Sequence, residues 1–150
     1  MWASIIAVAG TLLGGIVTSA LQTRATRATR NAEREDRRRD AQLAAVTALV
    51  AAIGDHRRAM WRREDLRLAG ADADALAAAR SQSHGTRSAV TAPLVSVSVL
   101  APDLAEVATA AARAAFGIRQ AMDADELATL RQTAIGASDQ LVKAASRLLA

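Results

Sequence analysis

The chain has 150 residues, half of them apolar, enough for one domain with a real core. It holds no cysteine, which excludes a disulfide scaffold, a thiolate metal site and a cysteine nucleophile. The net charge is only +4, but eighteen arginines against one lysine raise the pI to about 11.1. Alanine and leucine, strong helix formers, supply most of the apolar share, and aromatic residues are scarce, so an all-α fold is expected.

Residues 1–22 carry no charged side chain, and the run from Ile5 to Val17 is nearly all apolar or small. As a helix this stretch is about 30 Å long, the thickness of a hydrocarbon core, so it is expected to be a single transmembrane helix. A buried helix of a soluble bundle and a cleaved signal peptide ending near Thr18-Ser19-Ala20 are the alternatives. The signal peptide is disfavoured because positive side chains follow the apolar run instead of preceding it. By the positive-inside rule the N-terminus then faces out and the rest of the chain stays in the cytoplasm, at the cell membrane. Within the span, Gly10 with Gly14 and Gly15 with Ser19 have small-xxx-small spacing, which lets two backbones approach closely and points to homo-oligomerisation.

Residues 23–42 have no apolar face. Arg24, Arg27, Arg30, Arg34, Arg37, Arg38 and Arg39 crowd this stretch, and Glu33 with Arg37 and Glu35 with Arg39 have the spacing of helical ion pairs. The segment is expected to continue the first helix as a basic juxtamembrane stalk. The arginines set orientation and contact lipid headgroups; contact with nucleic-acid phosphate is the alternative, making the chain a tethered nucleic-acid-binding module.

Residues 43–150 read as an antiparallel bundle of about four helices. Leu43, Val46, Leu49, Val50 and Ile53 form an apolar stripe that resumes at Met60, Trp61, Leu66 and Leu68. Gly70 is a stop signal, and Asp72 or Asp74 an N-cap. The next helix is expected to kink or break at Pro93, and the alternating Val95–Val99 segment is read as helix because a lone strand has no partner. Pro102 suits the first turn of a helix reaching about Gln120. Asp123 and Glu126 form a capping box for a last helix with Leu127, Leu130, Ile135, Leu141, Val142, Leu148 and Leu149 inward.

His56, Arg57, Arg58, Trp61 and Arg62, with Arg87, form a second charged cluster, expected to make ion pairs within the bundle or to meet a partner, with an arginine stacked on the Trp61 indole. No catalytic group, metal site or cofactor is expected: His56 and His84 fall on different helices, and no phosphate-cradling glycine loop occurs.

The residues His56-Arg57-Arg58-Ala59-Met60-Trp61, Glu64 to Leu68, Ser83 to Ala89 and Thr91 to Leu94, together with the apolar start and the arginine stretch, resemble the small KilB-type proteins of actinobacterial conjugative plasmids. The resemblance implies a membrane-associated role in plasmid spread through the mycelium, where related spread proteins assemble at septa, and assigns no residue roles. The expected function is a self-assembling structural component, not an enzyme, with lipid bilayer, further copies of the chain, and DNA or other transfer proteins as partners.

Overall fold

The computed structural model describes the backbone of residues 2–149 and the side chains of residues 29–149. Among them every regular element is helical: α1 spans Trp2–Leu68, α2 Ala73–Leu100, α3 Ala105–Phe116 and α4 Ala124–Leu149, and a 3-10 turn, Pro102–Leu104, leads into α3. The chain forms two compact units, Met1–Arg39 and Asp40–Ala150.

The structure corrects the expected transmembrane helix. Among the described residues no helix is long and apolar enough to cross a membrane. Residues 2–22 do not form an apolar element with its own ends; they open α1, a helix of 67 residues that runs on through the arginine block. Beyond it, the longest charge-free runs, 41–54 and 88–102, hold 14 and 15 residues, whereas a span needs about 20. The expected placement in the cell membrane, with the N-terminus outside and the C-terminal domain in the cytoplasm, falls with the span. The faces assigned to Gly10, Gly14, Gly15 and Ser19 lie outside the residues whose side chains are described.

In the first unit, residues 29–39 are exposed all round the helix. Both expected pairs form, Glu33 with Arg37 at 3.5 Å and Glu35 with Arg39 at 3.7 Å. Solvated pairs of this kind contribute about 0.3–0.5 kcal/mol each.

The second unit is a helical bundle. The buried face of α1 carries Ala45, Val46, Leu49, Ile53, Ala59 and Met60, interrupted by the polar Gln42, His56 and Glu64. Gln42 donates from Nε2 to the carbonyl of Leu100 at 2.6 Å, and His56 Nδ1 meets Thr86 Oγ1 at 3.0 Å. Moving fourteen residues forward along α1 thus moves the partner fourteen residues back along α2, which fixes an antiparallel register. α4 flanks α1 in the same sense: Leu43 shares a depression with Leu149, and Trp61 shares another with Arg131.

The inward stripe of α4 is Leu127, Ala134, Ser138, Leu141 and Ala145, and that of α3 is Ala108, Ala111, Ala112 and Ala115. One apolar cluster joins Leu49 and Ile53 to Val90, Val97, Leu104, the α3 alanines and Leu141. A second joins Met60, Ile118, Ala121, Leu127 and Ala134. His56 sits between them, one turn from both Ile53 and Met60.

Local chemistry sets the helix ends. Gly70, at φ +67°, closes α1 with Ala71 N–H donating to Leu66 C=O and its own N–H to Arg67 C=O, a Schellman arrangement that needs the left-handed conformation. The Asp72 carboxylate accepts from Ala75 N at 2.7 Å and caps α2. Asp123 accepts from Glu126 N at 2.8 Å, while Glu126 reaches back to Met122 N at 2.7 Å. This is a capping box displaced by one residue on its return bond.

Three expectations are revised. Of the kink or break expected at Pro93, the break does not occur, since α2 is helical to Leu100. The third helix stops at Phe116 because the chain from Gly117 is claimed by other partners: Glu64 takes the Gln120 N–H at 2.9 Å, and Arg67 donates to the Ala121 carbonyl. Leu43, Val142 and Leu148, expected inward, are exposed, while smaller neighbours take the buried positions.

Candidate functional site

The charged cluster of α1 divides between two faces. His56 turns inward, where Phe116 packs edge-to-face on its ring with centroids 5.1 Å apart, and Arg87 places its guanidinium 4.1 Å over the Phe116 ring. The Thr86 hydroxyl lies 3.1 Å from the carbonyls of both Gln82 and Ser83 and donates to one of them. The imidazole Nδ1 shares a hydrogen bond with Thr86 Oγ1, and Nε2 is left buried with no hydrogen-bond partner among the described residues. Burial first, then the charge of Arg87, lowers the His56 pKa from 6.5 to about 4, against a backbone hydrogen bond at Ser83 that raises it. The ring is neutral at ordinary pH, a structural member of the core.

Arg57, Trp61 and Asp65 recur every four residues, as do Arg58 and Arg62, and this face of α1 turns toward α4. With Leu66 and Arg131 they line a depression of about 700 Å³. Arg131, about two turns into α4, holds its guanidinium 5.5 Å from the Trp61 ring centroid, within range of a cation–π contact. Arg58 is paired with Asp55 on its own helix. Arg57 carries a guanidinium held below its usual pKa by burial, then by the charges of Arg131 and Arg58, with Asp139 acting the other way. Among the described residues no carboxylate lies within ion-pair distance of Arg57, Arg62, Arg87 or Arg131. Four cations and one carboxylate thus face one concave surface, an arrangement suited to binding an anion.

The remaining sequence-assigned residues fall elsewhere. Arg30, Arg34, Arg37, Arg38 and Arg39 belong to the first unit and are exposed; Arg24 and Arg27 have side chains outside the described set. Arg131 and Gln42 were not singled out by the sequence, and Glu64 was named there without a role. Arg131 is 70 residues from Trp61, and no local signal links the two. Glu64 and Arg67 at 2.9 Å have the spacing of a helical ion pair and were open to detection.

Fold and groove together define a small all-α helical-bundle protein with a cationic groove on its surface. Residues 43–149 match the family described as KilB plasmid transfer protein. The chain is also 56% identical over 147 residues, covering 98% of it and 97% of the relative, to Protein KilB of Streptomyces lividans. It belongs to the KilB plasmid transfer family, and its role lies in plasmid transfer. No solved structure matches it.

Proposed function

We propose that this chain is a non-enzymatic structural component of plasmid transfer that assembles by packing copies of its helical bundle against one another. The supporting observation is an apolar depression of about 270 Å³ between the start of the bundle part of α1 and the end of α4, lined by Leu43, Val46, Val50, Val142, Ala145 and Leu149. Leu43 and Val142 on its rims are 57% and 43% exposed, and Leu148 nearby is 41% exposed. Aliphatic side chains left in water together are an association surface. A groove with an aliphatic rim on either side is self-complementary about a two-fold axis, the rim of one copy entering the groove of the other.

Sedimentation equilibrium of the full chain tests the proposal. Concentration-dependent association that Leu43→Glu with Val142→Glu abolishes is expected; a monomer at every concentration overturns it.

A further inference from the structure

We infer that the groove around Trp61 is a binding site for single-stranded nucleic acid, in which Arg57, Arg62 and Arg131 receive phosphates and the Trp61–Arg131 pair offers a stacking surface. The charge balance comes first. Of the four guanidinium groups lining the groove, only that of Arg58 has a carboxylate at ion-pair distance among the described residues, and Asp65 is the one acidic residue of the lining. Crowding Arg57 against Arg131 and Arg58 in a partly buried place is unfavourable, Asp139 acts the other way as the smallest of these influences, and an entering anion relieves the repulsion further. A phosphate bridging two guanidinium groups offsets both the repulsion and the lost hydration.

Shape narrows the ligand. Trp61, Asp65 and Arg131 also line a second depression, of about 430 Å³, with Leu127, Ala128 and Gln132. A cationic hollow and one of mixed polarity therefore share the indole and the guanidinium that rests on it. An unpaired strand presents this alternation of phosphate and base, and base stacking on an aromatic or arginine plane is how strand-binding proteins hold it. A duplex keeps its bases stacked inside and offers this site phosphate alone; an anionic lipid headgroup likewise has no aromatic plane to stack on the indole. The groove is formed by residues other than those of the apolar depression, so the inference stands apart from self-association.

The test uses the full chain with Trp2→Phe, which leaves Trp61 as the only indole of the two in the sequence. Addition of oligothymidylate at low salt is expected to quench Trp61 emission. The log–log salt slope of the affinity should fall by about 0.7 for each arginine removed in Arg62→Gln and Arg57→Gln, with helical circular dichroism unchanged for the exposed Arg62→Gln. Arg34→Gln with Arg38→Gln, in the first unit, should leave the quench in place. Absence of quenching overturns the site. So does quenching that depends on Arg34 and Arg38 but not on Arg57 and Arg62, competition by duplex DNA as effective as by the single strand, or quenching by phosphatidylglycerol vesicles without any by the oligonucleotide.

Discussion

The carboxylate of Glu64, on the buried face of α1, accepts the backbone N–H of Gln120 at 2.9 Å, 56 residues further along the chain. The same oxygen takes the Arg67 Nε hydrogen at 2.9 Å, so one carboxylate ties the last turns of α1 to the segment joining α3 and α4. Glu64→Ala strands the Gln120 N–H and is expected to lower stability by about 2–3 kcal/mol. Glu64→Gln, whose amide oxygen can still accept, should cost less. Urea unfolding of both variants, followed by circular dichroism, orders them; equal losses would show that the acceptor is not what matters.

Two left-handed residues should respond oppositely to substitution. Gly70, at φ +67°, has nothing within 4 Å of an added Cβ, so Gly70→Ala costs backbone strain alone, about 1 kcal/mol. Gln120 occupies φ +59° with a side chain, and Gln120→Gly should be neutral or stabilising by up to about 1 kcal/mol, strain relief being partly offset by the greater freedom of the unfolded chain. Thermal midpoints moving in the same direction for the two variants would contradict this account.

His56 makes stability depend on pH. Its pKa falls from 6.5 in the unfolded chain to about 4 in the folded one, so the unfolded state binds the proton first on acidification. The contribution is whole above about pH 6.5, is lost as pH falls toward 4, and changes no further below that, amounting to about 3 kcal/mol at most. Between pH 6.5 and 5, where few carboxylates titrate, the urea midpoint should fall for the unmodified protein and stay level in His56→Gln. A slope that survives the substitution assigns the effect to another group.

The caps of α2 and α4 should be of similar worth. Asp72→Ala and Asp123→Ala each remove a side-chain acceptor from a backbone N–H, at 2.7 and 2.8 Å, and are expected to cost about 1 kcal/mol. Asp123→Ala should also raise amide exchange in the first turn of α4, where the Glu126 N–H loses its partner. Unchanged exchange there would mean that the cap is not formed in solution.

Features that depend on neighbours in the chain were legible in the sequence. Gly70, Asp72 and the Asp123–Glu126 box stand where their chemistry puts helix ends, and Val95–Val99 is helical as an isolated alternating segment should be in this chain. What the pattern misplaced is the inward face. Reading the bulkiest aliphatics as core put Leu43, Val142 and Leu148 inside, whereas Ala134, Ser138 and Ala145 on α4 and Gln42, His56 and Glu64 on α1 are buried. Helices packed through alanines approach too closely for large side chains along the seam, and a buried polar group looks like a solvated one until its partner, Leu100, Thr86 or Gln120, is known. The meeting of Trp61 with Arg131 likewise belongs to the register of α1 against α4 and to no motif in either. The apolar opening of the chain misled for a different reason: hydropathy measures what a segment could do alone, and this one is continuous with a long charged helix.

The alanine seam of α3 restricts how this protein can change. Ala108, Ala111 and Ala115 are fully enclosed and Ala112 nearly so, and glycine is the sole smaller residue available. Almost every single substitution there enlarges a side chain already enclosed in the core, and glycine instead loosens the helix. Variation at this seam should therefore arrive in compensating pairs with residues of the same apolar cluster, such as Leu49, Val97 and Leu141, while exposed positions outside the two grooves are free to diverge singly.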